Sequence, residues 1–245
     1  IRSCLVGSEM CIRDSLHLPM VSLSNNQMKK CRSIAPTVAS LHGSWLGERD
    51  GLITARNVGE PAVFRNPNDL AILLSAEHYA KYEKTSALNA HVSISNSKAT
   101  QADFIERYKM PPEWNCKTIY WGVDTDLFCP VEENGTSKRP REQVRTNYGF
   151  NYDDPVLLAV GRLAARKGYS TLLRAFRIVI KEIPNAKLLI VGRGGMKKNL
   201  YKYARKEGFK PSIRIESSLD FNELSNVYNS CDLTIFPSYY EGQGL

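Results

Sequence analysis

The second half of the chain alternates short apolar runs with amphipathic stretches, and this alternation restricts the fold more than any other feature. Val156–Val160 and Lys187–Val191 are almost entirely apolar, as expected for strands that are buried on both faces. Residues 169–181, between them, place their apolar side chains on one helical face. The remaining predicted elements are a helix at 196–207, strands at 212–215 and 233–236, and a helix at 220–230 that Asp220 caps. This spacing predicts right-handed βαβ units, and therefore an α/β fold with a doubly wound parallel sheet.

The first half of the chain carries weaker patterns of the same kind. We predict strands at 36–41, 91–94 and 117–120, and helices at 70–88 and at 98–108 with Ser97 as N-cap. Residues 131–148 are polar and contain Pro, Gly and several charges, which is typical of a linker. The predicted organisation is a partial N-terminal domain at 16–130, a linker at 131–152, and a partial second domain at 153–245.

Residues 1–15 differ in character from the rest of the chain. They resemble a recurrent spurious translation found at the ends of assembled reading frames, and we expect them not to be native. Cys4 and Cys11 would then drop out of the six cysteines. None of the six forms a CxxC pair or a Cys/His cluster with zinc spacing, so we predict reduced thiols, a cytoplasmic protein and no metal site.

Composition and charge narrow the classes of partner. Hydrophobic residues make up 42% of the chain and charged residues 24%, which is typical of globular proteins. The chain has no apolar run of about eighteen residues, so no membrane-spanning helix is expected. Residues 151–245 carry 15 Lys/Arg against 9 Asp/Glu, a net charge of +6, and would attract phosphates, nucleic acid or an acidic membrane. A solubilising surface without a partner is the alternative. Basic residues are not interleaved with aromatic ones, so no nucleic-acid partner is predicted.

Three loops that follow predicted strands carry candidate binding residues. In Gly161–Gly168, Arg162 and Lys167 stand at a strand end, where phosphates are bound in α/β sheets. Glycines 192, 194 and 195 would let the backbone approach a ligand, or would simply form a turn. Glu241, flanked by glycine, could accept hydrogen bonds from sugar hydroxyls, or could be a surface residue in a turn. Each loop taken alone is weak support for a site.

The order and spacing of these segments resemble one family. The succession GRLAARKG, PNAKLLIVGRG, DFNEL and PSYYEGQGL is similar to the C-terminal half of glycosyltransferase family 4, which has the GT-B fold. HVSISNS at 91–97, YWGVDTDLFCP at 120–130 and ASLHG at 39–43 are similar to segments of its first domain, with Trp121 in place of the usual Asn. The resemblance implies two Rossmann-like domains, both incomplete, in a fragment truncated at both ends.

The resemblance also implies roles for residues. His42 and Glu241 would be catalytic, because they match the cleft His and the first Glu of the E-x7-E signature, whose second Glu would fall at position 249. The donor diphosphate would contact Gly161, Arg162, Lys167, Gly242, Gly244 and Leu245. Gly194, Gly195 and Gln243 would lie near the donor nucleotide or sugar. His42 has a second interpretation, as a hydrogen-bonded residue at the rim of the sheet, and the three tryptophans are interpreted as packing residues. Residues 213–218 lack the family's glycine near the base, and Gln243 stands where an aromatic residue is common.

The implied activity is the transfer of a sugar, with retention at the anomeric carbon, from a nucleotide-diphosphate sugar to a glycan or lipid-linked acceptor. The family needs no cofactor or metal, because cationic side chains stabilise the leaving phosphate. A lipid-linked acceptor would place the protein at the membrane surface as a peripheral protein. The alternative is a catalytically incomplete fragment that binds the nucleotide sugar without turnover.

Overall fold

The computed structural model describes residues 16–18, 22–60, 66–130 and 141–242. They form two compact units: the first contains the described residues of the ranges 1–54, 67–122 and 240–245, and the second contains those of the ranges 55–66 and 123–239. The predictions for residues 1–15 and for Gln243, Gly244 and Leu245 lie outside the described residues. The predicted domain boundaries stay a prediction.

The first unit is built on a parallel sheet of four described strands in the order β1-β2-β3-β4. The strands are β1 (Leu16–Leu18), β2 (Val38–Leu41), β3 (Val92–Ser95) and β4 (Cys116–Thr118). The helices are α1 (Asn25–Ile34), α2 (Trp45–Asn57), α3 (Pro67–Asn89) and α4 (Lys98–Tyr108). Ala39 and Leu41 of β2 pack in a core with Phe104 and Tyr108 of α4, whose rings stack. The core therefore joins the sheet to α4.

A buried carboxyl group lies inside this unit. Glu83 of α3 has no exposed surface, and its Oε2 accepts hydrogen bonds from the Trp45 amide and the Tyr108 hydroxyl. Burial raises the pKa of Glu83 from 4.5 to about 8, against the lowering effect of these hydrogen bonds. The side chain is therefore mainly protonated at neutral pH.

The second unit holds a parallel sheet of four described strands in the order β7-β6-β5-β8. The strands are β5 (Val156–Val160), β6 (Lys187–Val191), β7 (Ile213–Glu216) and β8 (Leu233–Thr234). The helices are α5 (Arg141–Asn147), α6 (Tyr169–Glu182), α7 (Lys197–Lys206) and α8 (Phe221–Ser230). The strand order runs outward from β5 to β7 and then resumes with β8 on the other side of β5. In doubly wound sheets this reversal opens a crevice at the carboxyl ends of the two central strands.

The structure confirms the predicted α/β class and the parallel sheets. Asp220 caps α8 in a capping box with Glu223, and Ser97 caps α4, as predicted. β8 is shorter than the predicted strand at 233–236. Helices α1 and α2 were not anticipated, and α5 lies inside the stretch with linker composition.

A buried arginine joins α5 to the sheet of the second unit. The Arg145 guanidinium is 2% exposed and donates to the carbonyls of Tyr152, Asp154 and Ser230. It also donates to Asp232 Oδ2 at 2.7 Å, and that oxygen accepts the Val156 amide of β5 at 2.7 Å. Burial by itself would raise the pKa of Asp232, but the Val156 amide, Arg141 and Arg145 hold that pKa below its usual value. This ion pair therefore joins the start of β5 to the start of β8.

A glycine determines how the loop after β8 meets the loop after β5. Gly168 has φ +69°, and a Cβ atom there would lie 1.9 Å from the Pro237 carbonyl oxygen. Gly208, which follows α7, also has positive φ (+82°), but a Cβ atom there would meet nothing within 4 Å. An alanine at position 208 would therefore introduce backbone strain alone, whereas an alanine at position 168 would introduce both strain and steric overlap.

We expect Gly208→Ala to lower the free energy of unfolding by about 1 kcal/mol, because alanine is strained in the left-handed region. Gly168→Ala should cost about 1 to 3 kcal/mol more, because the methyl group also overlaps Pro237. Urea denaturation of both variants measures the difference. Equal losses would show that the loop after β8 moves away at no cost.

We expect Glu83→Gln to change how stability depends on pH. The pKa of Glu83 is raised in the folded state, so the wild type loses stability relative to the variant as pH rises from about 4.5 to about 8, by up to about 1.4 kcal/mol for each pH unit. Thermal unfolding across this range is the measurement, with the exposed Glu113→Gln as control. A wild-type-minus-variant difference that stays constant with pH would contradict the raised pKa.

Candidate functional site

The loops after β5 and β8 lie together at the strand-order reversal of the second unit. The Tyr239 amide donates to the Arg166 carbonyl at 2.9 Å, and the hydroxyls of Thr171 and Tyr239 are 2.6 Å apart. Pro237 packs against Gly168, as described above. The first and third candidate segments, separated by about seventy residues in the sequence, therefore form one surface.

The loop after β6 is bound to the same surface. The Leu163 amide donates to the Arg193 carbonyl at 2.8 Å, and a Cβ atom at Gly194 (φ +153°) would lie 2.3 Å from the Leu163 carbonyl oxygen. A Cβ atom at Gly192 would lie 1.8 Å from the Gly161 carbonyl oxygen. Gly192 and Gly194 thus let two loops pack together, whereas a Cβ atom at Gly195 would meet nothing within 4 Å. Of these glycines, Gly195 borders open space.

Two cationic side chains flank the amino end of α6. Arg162 is exposed and Lys167 is half-buried, and Gly168 is the N-cap of the helix. The N-cap makes no side-chain hydrogen bond, and the first turn of α6 contains no acidic residue. The amino end of a helix carries partial positive charge and amide donors, so this arrangement attracts an anion such as a diphosphate.

His42 and Glu241 lie in the first unit. His42 follows β2, and its Nε2 lies 3.1 Å from Ser40 Oγ. A Cβ atom at Gly242, the neighbour of Glu241, would be 2.5 Å from the His42 carbonyl oxygen. The Gly242 carbonyl accepts hydrogen bonds from Ser97 Oγ and Thr100 Oγ1 at the start of α4. The segment that carries Glu241 therefore contacts the backbone of His42. The hydrogen bond to Ser40 agrees with the interpretation of His42 as a rim residue.

Trp121, which was predicted to be a packing residue, lies beside His42. Its ring centroid is 4.7 Å from that of His42, and it exposes 48% of its surface. The departure from the family's Asn at this position was the signal that could have identified it. An exposed indole next to an imidazole can contact the apolar face of a ligand.

Tyr240 was not recognised from the sequence as part of this site. Its hydroxyl accepts from the Ser44 amide at 2.9 Å and donates to Asp103 at 3.1 Å. Burial, followed by the charge of Asp103, raises the pKa of Tyr240 above its usual value. A Cβ atom at Gly47 would lie 2.2 Å from the Tyr240 ring, so only glycine leaves room for it. No local pattern joins positions 196 residues apart, as Ser44 and Tyr240 are.

The structure thus places the predicted residues in two groups. Gly161, Arg162, Lys167, Gly194 and Gly195 belong to the second unit, and His42, Glu241 and Gly242 belong to the first. Over the described ranges, no group of three or more His, Cys, Asp or Glu side chains could hold a metal ion. In the same ranges, no helix has the length and apolar character needed to cross a membrane.

Residues 140–245 match the family described as Glycosyl transferases group 1. The D-inositol 3-phosphate glycosyltransferase of Corynebacterium aurimucosum is 31% identical over 163 residues, which cover 64% of this chain and 37% of that protein. The GDP-mannose-dependent alpha-(1-6)-phosphatidylinositol monomannoside mannosyltransferase of Mycolicibacterium smegmatis is 26% identical over 208 residues, or 85% of this chain and 46% of that protein. The chain therefore spans less than half the length of these two relatives.

Solved structures show the same fold at low identity. Sucrose-phosphate synthase from Thermosynechococcus elongatus superposes with a TM-score of 0.63 at 21% identity, covering 90% of this chain and 49% of that one. WaaG, a glycosyltransferase involved in lipopolysaccharide biosynthesis, superposes with a TM-score of 0.60 at 20% identity, covering 89% and 56%. Residues 140–245 thus match the family of group 1 glycosyl transferases, and the two parallel sheets have the Rossmann-like fold of the GT-B structures.

Proposed function

We propose that the whole protein transfers a sugar from a nucleotide-diphosphate sugar to a glycan or lipid-linked acceptor, with retention at the anomeric carbon. The observation that carries this proposal is the position of Arg162 and Lys167 at the strand-order reversal, beside the amino end of α6. The match of residues 140–245 to the group 1 glycosyl transferases supports the transfer reaction. The name of the Mycolicibacterium smegmatis relative gives GDP-mannose as its donor and a phosphatidylinositol mannoside as its acceptor.

In the proposed reaction, the second unit binds the donor. Arg162 binds phosphate oxygens through its guanidinium, and Lys167 adds a second positive charge. Gly161 lets the backbone approach the diphosphate closely. These charges stabilise the departing nucleotide diphosphate, so the reaction needs neither a bound metal nor a cofactor. We assign Gly194, Gly195 and Gln243 to the vicinity of the donor nucleotide or sugar. Gly242, Gly244 and Leu245 complete the proposed diphosphate contacts.

The first unit supplies the groups that face the sugars. We assign Glu241 to the hydroxyls of the donor sugar, and His42 to a polar contact beside the donor sugar and the acceptor. We assign Trp121, which is half-exposed beside His42, to a contact with an acceptor ring. We assign the protein to the cytoplasm, peripherally associated with a membrane surface that presents a lipid-linked acceptor.

We expect the 245-residue chain to bind UDP or GDP, and the Arg162→Ala, Lys167→Ala double variant to bind at least about a hundredfold more weakly, because two charge-assisted phosphate contacts are lost. Calorimetric titration is the measurement, and EDTA should not change the affinity. The control is Lys29→Ala with Lys30→Ala, which removes the same charge from exposed positions on α1. Equal losses in both double variants would reject the assigned diphosphate site.

We expect His42→Ala to slow hydrolysis or transfer of UDP-glucose or GDP-mannose about a hundredfold, because it removes a polar contact to the reacting sugar. UDP and GDP affinity should stay unchanged, since the assigned diphosphate contacts do not include His42. His78→Ala, at an exposed histidine of α3, is the matched control. Normal turnover by His42→Ala would leave His42 as a rim residue. Binding without turnover in the unmodified chain would support the binding-only alternative.

A further inference from the structure

One face of α7 carries a row of cationic side chains. Leu200 and Ala204 are buried on the side that packs against the second unit. Lys198, Lys202, Arg205 and Lys206 are all exposed and fall within about 100° of the helix circumference on the opposite side. We call these four residues the basic face of α7. They extend over about 12 Å along the helix axis.

The charge of this face is not neutralised within the described ranges of the protein. No ion pair there joins the four cations to a carboxylate. Glu207, the nearest acidic residue in sequence, pairs with Arg177 of α6 at 2.5 Å. Residues 193–214 contain eight Lys/Arg and one Asp/Glu, a net charge of +7. The whole excess charge of residues 151–245, which is +6, therefore belongs to α7 and its flanks.

The cations of the basic face destabilise α7 at several positions. Lys198 lies in the first turn, where the helix dipole disfavours positive charge and where α7 has no acidic residue. Lys198 and Lys202, and Lys202 and Lys206, are like-charged pairs at i,i+4 spacing, which destabilises a helix. Only Arg205 and Lys206, in the last turn, complement the dipole. The fold gains little from this row of charges, so a ligand is the better explanation.

The aromatic side chains of α7 make contacts within the protein. The Tyr201 hydroxyl accepts the Ile215 amide at 3.0 Å, and Lys210 lies over its ring, 5.9 Å from the centroid. Tyr203 packs edge-on against Phe209. The basic face therefore presents cations without aromatic rings for stacking bases, which single-stranded nucleic acids require. A row of cations fits a continuous anionic surface better than it fits one phosphate group.

We propose that the basic face of α7 binds the anionic headgroups of a lipid bilayer. The inference rests on the membrane location proposed above but not on the transfer reaction. Lysine and arginine side chains near an anionic bilayer bind through long-range attraction that salt screens. The second unit would thereby contact the membrane through one helix, without inserting apolar residues.

The test compares neutralised variants of equal net charge. The 245-residue chain is sedimented with sucrose-loaded vesicles of phosphatidylcholine, with or without about one third phosphatidylglycerol, at about 0.1 M and about 0.5 M NaCl. Lys198→Gln with Lys202→Gln is compared with Lys29→Gln and Lys30→Gln, which removes the same charge from exposed positions on α1. Thermal unfolding verifies that both variants fold, and Lys206→Gln provides a second, single change on the same face.

We expect binding only to the vesicles that contain phosphatidylglycerol, and its loss at the higher salt concentration. The α7 double variant should partition about 25-fold more weakly and Lys206→Gln about fivefold more weakly, because each cation contributes about a factor of five at an anionic surface. The α1 variant should change less than about threefold. Equal losses in the α1 and α7 variants, binding to pure phosphatidylcholine, or tighter binding to a labelled DNA duplex at equal phosphate concentration would each overturn the proposal. Failure to bind UDP or GDP would instead count against the proposed donor site and leave this result unaffected.

Discussion

The ion pair between the buried Arg145 and the partly exposed Asp232 is the interaction on which the second unit depends. A buried guanidinium needs acceptors for its donors, and here three carbonyls and one carboxylate accept four hydrogen bonds from it. Its partners come from the segment before β5 and from the junction between α8 and β8. Loss of Asp232 would leave the buried guanidinium of Arg145 without its carboxylate, which costs more than a surface ion pair contributes.

The ion pair aligns the two strands between which the strand order reverses. Asp232 accepts the amide of Val156, the first residue of β5, and immediately precedes β8. Once the starts of these strands are in register, their carboxyl ends bring the loop of Arg162 and Lys167 to the loop of Pro237 and Tyr239. Gly168 and Gly192 then allow backbone contacts that a larger residue would prevent. The candidate donor site is thus assembled by packing around backbone atoms, with the charged side chains added at its edge.

Features that depend on local sequence were predictable, and features that depend on distant partners were not. β5, β6 and α6 follow from apolar periodicity, and the cap of α8 follows from Asp220 and Glu223 alone. The burial of Arg145 could not be read from its neighbours, because a charged residue in a polar stretch looks solvent-exposed until its carbonyl partners are known. The candidate anion-binding residues were found from their positions after strands. The contacts of Trp121 and Tyr240 were not anticipated, because they are with His42, Ser44 and Asp103, far away in sequence.

The close contact between Gly47 and the ring of Tyr240 links two positions that a reader of the sequence would treat as independent. Position 47 lies inside α2, where glycine is a poor helix former and alanine would ordinarily be preferred. Alanine does not fit at position 47, because the ring of Tyr240 already fills the space for its methyl group. Over evolutionary time the two positions should change together. A bulkier residue at 47 should be found only where a smaller side chain, or a different course of the backbone, replaces Tyr240.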